Sequence, residues 1–442
     1  MKNILLFIAV LSVPALVSGM IFQRQTQPVS VTGKFNYPVI SERGGPVFLH
    51  IAISTRMHER SKRKPMNLSI VIDRSGSMGD RHKLEYVKEA FRKLVRQLHY
   101  GDILSVVVYD DRVTVLRPSA MIGDDLRRLT SLIDDVEPGG STNLGGGLLE
   151  SLNQADHYAS NEYINRVILL SDGLANVGVT DPAELNRMTK KYRRHSIAVS
   201  TMGVGLEYNE NLMMSLAESG GGNYYFIEHP NSLVSIVREE MNLASSVFAQ
   251  NAFIQLHLGH DIRIDEVIGF KFNRQDNIIS IPVGDLYSND IRELTIALNL
   301  PEGTGTRTIV TGELCFGDSD LKKIVRRFSS SVRYSNNGFE IEKKHNLDIQ
   351  AKADIAVSTK KVDEAMEAMD NGNTNDAERH LVEAESLLKS SPALSAFGAS
   401  GDQLREQINR TASYRQTMKD TSDLRKVKKS IQYDNYKAQK RK

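Results

Sequence analysis

The sequence predicts an α/β fold, a doubly wound and mainly parallel sheet, with an adjoining β-sandwich and a C-terminal helical segment. Three observations lead to this prediction. Apolar runs alternate with amphipathic helical patterns from residue 68 to about residue 241, which is typical of a parallel sheet with helices on both faces. Strand-like runs then follow one another to residue 332, and the remainder shows helical periodicity.

Each element of the α/β region has its own signature. Residues 68–72 form a buried apolar strand that ends at Asp73, and apolar residues from Leu84 to Leu98 recur at helical spacing. A glycine-rich loop precedes a small-residue helix over 145–157, and residues 166–170 form a second buried strand. Further elements are expected as strands over 103–109, 113–116 and 197–204, and as helices over 126–133, 212–216 and 234–241.

A β-sandwich is predicted after the α/β region, because strand-like segments separated by turn residues follow at short spacing. The six segments span residues 253–258, 267–272, 278–283, 293–300, 309–316 and 324–332. An earlier strand over residues 47–53 could join this sheet. The α/β domain would then be an insertion within the sandwich.

The C-terminal region is expected to be helical. Periodicity places helices over residues 349–368, 376–389 and 403–420. The last residues, 425–442, carry eight Lys or Arg residues and one acid. For this tail a solvated, frayed end is favoured over an electrostatic tether to acidic lipid or polyanion.

These patterns divide the chain of 442 residues into parts. We expect a signal peptide over 1–19, an N-terminal β segment over 20–64, the α/β domain over 65–246, a β-sandwich domain over 247–335, and a helical region with a basic tail over 343–442.

The composition excludes several function classes. A formal net charge of +2 gives no argument for nucleic acid as a partner. Cys315 is the only cysteine, so an intrachain disulfide and a cysteine-based zinc site are both excluded. The strand-like surroundings of Cys315 predict a buried, inert thiol.

The first residues indicate export. Lys2 supplies a positive charge, residues 4–17 are apolar, and Gly19 ends a plausible cleavage site. A membrane anchor is less favoured, because the apolar stretch is shorter than the roughly 18 to 20 residues needed to span a bilayer. We expect a mature chain beginning near Met20 in the periplasm, cell envelope or extracellular space, with no transmembrane span after cleavage.

Oxygen-bearing side chains follow both buried strands of the α/β region. Asp73-x-Ser75-x-Ser77 follows the first strand, Thr142 lies in the glycine-rich loop, and Asp172 follows the second strand. Ligands of open α/β sheets usually bind at the carboxyl ends of strands. Hard oxygen ligands suit Mg²⁺, Mn²⁺ or Ca²⁺ rather than zinc or copper. The sequence therefore predicts a divalent-cation site at these five residues, against the alternative that they only form caps and turns.

Together the three motifs resemble the von Willebrand factor type A domain and its metal-ion-dependent adhesion site, over roughly residues 65–244. The resemblance implies that the hydroxyls of Ser75, Ser77 and Thr142 coordinate the metal. It also implies that Asp73 and Asp172 bind the metal directly or through water, and that a partner carboxylate takes the remaining position. The flanking β segments more weakly resemble exported bacterial proteins with this domain and, more distantly, inter-alpha-trypsin inhibitor heavy chains.

A non-enzymatic binding module is the favoured function. No P-loop and no Gly-x-Ser-x-Gly elbow occur in the sequence. A phosphatase with an aspartate nucleophile would ordinarily carry a second acid where Ser75 stands. We predict adhesion or assembly through Mg²⁺, Mn²⁺ or Ca²⁺ to an Asp or Glu of a protein partner. A structural envelope scaffold with a stabilising metal stays open, and Mg²⁺-dependent phosphoryl transfer is less favoured.

Overall fold

The structure is a computed structural model, and it describes residues 29–56, 64–123, 126–317, 323–395, 398–420 and 423–440. The predicted signal peptide lies outside these ranges. Within the described residues, none of the helices combines the length and the apolar composition that a bilayer crossing requires.

The first two-thirds of the chain contains an α/β domain that follows three early strands. The early strands are β1 (Val29–Phe35), β2 (Val39–Ser41) and β3 (Gly45–Thr55). The α/β elements are β4 (Met66–Asp73), α1 (Lys83–Val95), β5 (Ile103–Tyr109), β6 (Val113–Met121), α2 (Leu126–Ser131), α3 (Leu144–Asp156), β7 (Ile164–Ser171), α4 (Pro182–Arg193), β8 (Ile197–Val204), α5 (Glu210–Gly220), β9 (Tyr224–Ile227) and α6 (Leu233–Ser245), with short 3₁₀ helices over Gly76–His82 and Pro230–Ser232.

The central sheet of this domain has six strands in the order β6-β5-β4-β7-β8-β9. All neighbours pair in parallel except the edge strand β6, which is antiparallel to β5. One face is covered by α1 and α6 through residues such as Phe91 and Met241, and the other by α3, α4 and α5 through Leu148, Leu185 and Leu216. The predicted doubly wound, mainly parallel sheet is confirmed.

Seven further strands follow the α/β domain in the part of the chain that the structure describes. They are β10 (Val247–Leu258), β11 (Arg263–Ile268), β12 (Asn273–Gln275), β13 (Ile278–Tyr287), β14 (Ile291–Leu300), β15 (Thr306–Gly317) and β16 (Lys323–Ser335). With the early strands they form two sheets, β1-β3-β14-β11 and β12-β13-β10-β15-β16-β2, which share one apolar core. Since β3 pairs with β14, the α/β domain is inserted into this sandwich. The domain boundaries proposed from the sequence remain predictions.

The strand predicted over residues 267–272 is misplaced. The structure has β11 over Arg263–Ile268, and the chain turns directly afterwards. Gly269 adopts a φ of +73°, in the left-handed region that a strand cannot use. The apolar residues Phe270 and Phe272 therefore belong to a connecting loop rather than to the strand.

In its described residues, the C-terminal region forms five α-helices and a short 3₁₀ helix over Pro392–Ser395. The α-helices are α7 (Gly338–Lys343), α8 (Leu347–Asp370), α9 (Thr374–Lys389), α10 (Ala399–Asp420) and α11 (Leu424–Lys440). The three helices predicted from periodicity correspond to α8, α9 and α10. Apolar residues of α8, α9, α10 and α11 share one small core, in which Val362, Leu381 and Tyr414 are buried.

The prediction of a solvated, frayed tail is wrong for residues 425–440, which form most of α11. The ammonium groups of Lys428 and Lys429 are buried and both donate to the Glu210 carboxylate at the start of α5. On the same helix, the Tyr436 hydroxyl accepts a hydrogen bond of 3.2 Å from the backbone N–H of Tyr224 in β9. The tail docks on the α/β domain because its basic residues meet a buried carboxylate that composition does not reveal.

Candidate metal site

Strand pairing brings the two acidic motifs to one edge of the sheet. The strands β4 and β7 are parallel neighbours with Ile72 opposite Leu170, so Asp73 and Asp172 follow them at the same carboxyl edge. The glycine-rich loop is tied to the first motif by backbone hydrogen bonds, from Gly76 N–H to the Gly140 carbonyl at 3.2 Å and from Gly139 N–H to the Arg74 carbonyl at 2.8 Å. Three segments far apart in sequence thus meet in one place.

Hydrogen bonds connect four of the five predicted site residues. The hydroxyls of Ser75 and Ser77 lie 3.3 Å apart. The Ser77 hydroxyl donates to Asp172 Oδ1 at 2.9 Å. The backbone N–H of Ser75 donates to Asp73 Oδ1 at 2.8 Å. The Ser75 side chain makes no cap hydrogen bond to the 3₁₀ helix that follows it, and its hydroxyl contacts Ser77 instead. The oxygens of both motifs therefore form one continuous group.

Thr142, the fifth residue, is placed through Gly173. A Cβ atom added to Gly173 would lie 3.2 Å from Thr142 Oγ1 and 3.7 Å from Asp73 Oδ2. Only the absence of a side chain at Gly173 leaves this space open. The loop of Thr142 is held in turn by Asn176, whose side-chain oxygen accepts from the Thr142 N–H at 2.8 Å. All five predicted residues converge.

The carboxylates are fully buried, and this perturbs Asp73. Burial raises the pKa of the Asp73 carboxyl above its ordinary value, and hydrogen bonds from Ser171 and Ser75 offset only part of that effect. The Ser171 hydroxyl donates to Asp73 Oδ2 at 2.7 Å, and the Tyr109 hydroxyl donates to the same oxygen at 3.3 Å. A buried carboxylate whose charge is this poorly compensated is a favourable place for a cation.

Lys83, at the start of α1, is a site residue that sequence reasoning missed. Its buried ammonium forms an ion pair with Asp172 Oδ2 and also lies 3.3 Å from the carbonyl oxygen of Ser77. The lysine side chain passes over Gly205, where an added Cβ would come within 3.3 Å of Lys83 Cε. One oxygen of Asp172 thus faces Ser77 and the other faces a cation supplied by the protein.

Ser171 and Tyr109 were also missed as supporting residues. Ser171 directly precedes Asp172, so its position beside the motif was a usable signal. Tyr109 ends β5, which pairs with β4 so that Tyr109 lies opposite Asp73. No local pattern in the sequence marks that pairing.

The donor set fits a hard divalent cation. Two carboxylates and three hydroxyls offer only oxygen ligands, the type that Mg²⁺, Mn²⁺ and Ca²⁺ prefer. In the described part of the chain, no group of three or more His, Cys, Asp or Glu side chains is placed to hold a metal. A cation at this site would therefore depend on the serine and threonine hydroxyls as much as on the two acids.

The inserted doubly wound domain, with this oxygen cluster at its carboxyl edge, also matches a known domain family. Residues 67–239 match the von Willebrand factor type A domain family. The chain therefore contains a von Willebrand factor type A domain, as the three motifs predict.

Relatives share this domain over part of their length. The protein YfbK of Escherichia coli (strain K12) is 33% identical over 191 residues, which cover 43% of this chain and 33% of YfbK. Human inter-alpha-trypsin inhibitor heavy chain H3 is 28% identical over 165 residues, 36% of this chain and 18% of that protein. The aligned segments thus cover at most about a third of these relatives.

A solved structure matches the whole architecture. The von Willebrand factor type A protein from Catenulispora acidiphila superimposes with a TM-score of 0.73 at 16% identity, covering 95% of this chain and 98% of that chain. At this identity the match concerns the fold alone. It supports the arrangement of domain, sandwich and helices as one architecture.

Proposed function

We propose that the protein binds a protein partner through a divalent cation, with a partner Asp or Glu completing the coordination of the metal. The observation that carries the proposal is the convergence of Asp73, Asp172 and three hydroxyl side chains at one sheet edge. When bound there, Mg²⁺, Mn²⁺ or Ca²⁺ would supply a positive charge for an incoming carboxylate. Ser75, Ser77 and Thr142 would contribute neutral ligands.

The charges around the site favour an anionic ligand. Two carboxylates formally balance one dication, and the hydroxyl ligands leave that balance unchanged. Lys83 adds one further positive charge against Asp172. A site loaded with metal would therefore carry a net positive charge, which attracts a carboxylate, whereas a site built only from carboxylates would repel it.

The surroundings of the site also suit contact with the surface of a partner protein. Ser77 is only partly buried, and Leu174, two residues after Asp172, is 54% exposed. An exposed apolar side chain beside a charged centre provides the mixed contact that is common in protein interfaces. The proposal assigns no catalytic residue.

Selected peptides would test the proposal. Peptides are selected from a random library on the immobilised protein in Mg²⁺, and each is compared with a version whose Asp or Glu is replaced by Asn or Gln. We expect binding to be lost in EDTA, with the amide peptides and with Asp73→Ala. The exposed acid Asp80, in the 3₁₀ segment that follows the motif, provides the control Asp80→Ala, which should bind normally.

Two results would contradict the proposal. If selected peptides bound equally well in EDTA and to Asp73→Ala, the contact would lie elsewhere on the protein. If Mg²⁺ bound at the site but acidic residues were not required, the metal would serve stability alone, as in a structural scaffold.

We also propose that the protein acts outside the cytoplasm. Support comes from the sequence, in Lys2, the apolar residues 4–17 and the small residues up to Gly19. N-terminal sequencing of the protein from its native cell tests this. A mature terminus near Met20 is expected, and an intact Met1 in a cytosolic fraction would contradict it.

A further inference from the structure

A second candidate site lies at the opposite end of the sheet. A cavity of about 310 Å³ lies where the α/β domain, the sandwich and the C-terminal helices meet. Its walls include the end of α4, which precedes β8, and therefore face the amino edge of the parallel sheet rather than the edge with Asp73. Cavities of this size at domain junctions are common ligand sites.

Basic residues from the α/β domain and from the sandwich line the cavity. Lys190 and Arg193 lie one helical turn apart at the end of α4, and Lys271 belongs to the loop after β11. Among the described residues, no carboxylate lies within ion-pair distance, 4.0 Å, of these three cations. The carboxylates of Glu218, Asp285 and Glu293 also line the cavity. Those of Asp285 and Glu293 are paired with Arg166 and Lys352.

Arg193 is held in place by both domains. Its Nε donates to the Asn251 side chain in β10 at 3.3 Å, and its Nη1 donates to the Glu218 carbonyl at 3.3 Å. Gly221, a glycine with positive φ, leaves room for the guanidinium, and Gly284 lies in contact distance of it. A Cβ at Gly221 would lie 2.6 Å from Arg193 Cζ, and one at Gly284 would lie 3.9 Å from Arg193 Nη2. Burial lowers the pKa of Arg193, with partial compensation from Asp285, so this cation is short of negative charge.

Apolar side chains also line the cavity. Ile268, Phe272 and Ile291 line the cavity from the sandwich, and Ile355 lines it from α8. Phe272 and Ile291 are among the large apolar side chains that the protein leaves exposed, at 38% and 50%. Cations and apolar side chains around one cavity are complementary to a molecule with an anionic head and an apolar body.

We propose that this junction cavity binds a small amphipathic carboxylate, with its head at Arg193, Lys190 and Lys271 and its apolar body against Phe272 and Ile291. Such a ligand would contact the α/β domain and the sandwich at once. It would bind the folded arrangement only and would therefore stabilise it. The proposal is independent of the metal site.

Octanoate is a suitable probe, because it combines a carboxylate with an eight-carbon chain. Binding to the full chain is measured by isothermal titration calorimetry in EDTA, with 1-octanol and acetate as comparison ligands. We expect octanoate to bind more tightly than either, because 1-octanol lacks the charge and acetate lacks the apolar body. Octanoate binding that is absent, or no tighter than the binding of 1-octanol or acetate, would overturn the proposal.

Variants locate the binding. The double variant Lys190→Met/Lys271→Met should weaken octanoate binding about tenfold, since two partly exposed charge contacts are lost. Lys191→Met is the matched control, because Lys191 lies on the same helix over the ring of Tyr192 and does not line the cavity. Ala356→Leu, which fills the cavity from α8, should also weaken binding. Unchanged affinity in both the double variant and Ala356→Leu would place octanoate elsewhere and overturn the proposal.

Discussion

Replacing Lys83 by methionine is expected to destabilise the metal-free protein and, at the same time, to tighten its binding of Mg²⁺. Lys83 and Asp172 form a buried ion pair beside a second buried carboxylate, Asp73. Methionine has a similar length and no charge, so it leaves both carboxylates without their nearest cation. Removing one partner of a buried pair costs about 3–5 kcal/mol, because the other charge stays buried and uncompensated.

The same argument gives the size of the change in Mg²⁺ affinity. If a divalent cation restores the charge that Lys83 supplied, it recovers most of that free energy on binding. A gain of about 3 kcal/mol corresponds to a dissociation constant about 100-fold lower. The variant should therefore depend on Mg²⁺ for stability much more than the wild type does.

Urea unfolding in EDTA and in Mg²⁺, together with calorimetric titration of Mg²⁺, measures both effects. Lys88→Met is the matched control, because Lys88 is an equally buried lysine on α1 whose ammonium pairs with Glu85 at 2.9 Å, away from the site. It should alter stability equally with and without metal. If Lys83→Met left the Mg²⁺ affinity unchanged or weaker, the view of Lys83 as a competing internal cation would be refuted.

Three further predictions concern the site and the docked helix. Thr142→Ala should weaken Mg²⁺ binding about tenfold by removing one neutral ligand. Thr142→Ser keeps the hydroxyl and should bind Mg²⁺ nearly as well as the wild type. If calorimetry gave the wild-type affinity for both variants, Thr142 would be excluded as a ligand. Gly173→Val should also weaken Mg²⁺ binding, because its Cβ would press on Thr142 Oγ1 at 3.2 Å; an unchanged titration would contradict the packing described. Burial alone raises the pKa of Glu210, but hydrogen bonds from Lys428 and Lys429 outweigh burial and hold this pKa below its ordinary value of 4.5. An acid whose pKa is depressed in the folded state contributes stability above its unfolded-state pKa. This contribution is lost as the pH falls through the folded-state pKa. Glu210→Gln should therefore lower the free energy of unfolding at pH 7, and this difference should shrink as the pH falls below 4.5 and through the folded-state pKa. A pH-independent difference would argue against the ion pairs.

The five site residues were predictable from sequence because each lies at or near the end of a strand or the start of a helix, where local patterns are clear. No single motif predicts that these five residues converge. Their convergence depends on β4 and β7 being neighbours, which follows from the fold class and from the resemblance to a known domain. Gly173 and Ser171 adjoin Asp172, so their supporting contacts were within reach of the same reasoning.

Contacts between segments that are distant in the chain could not be predicted from the sequence. Lys83 reaches Asp172 only because α1 begins beside the site and Gly205 leaves room for the lysine stem. The basic residues of α11 look solvent-exposed by composition. Their partner, Glu210, lies more than two hundred residues earlier in the chain. The misplaced strand over residues 267–272 shows the same limit over a short range. Hydrophobic periodicity does not reveal that Gly269 adopts a positive φ, where the strand has already ended.

The most direct test of the metal site is anomalous diffraction from crystals grown with Mn²⁺, with and without an acidic peptide selected as described. We predict one Mn²⁺ peak in contact with the hydroxyls of Ser75, Ser77 and Thr142, near Asp73 and Asp172, and a peptide carboxylate bound to it. A peak elsewhere, or an empty cluster with Lys83 still paired to Asp172 at saturating Mn²⁺, would contradict the assignment.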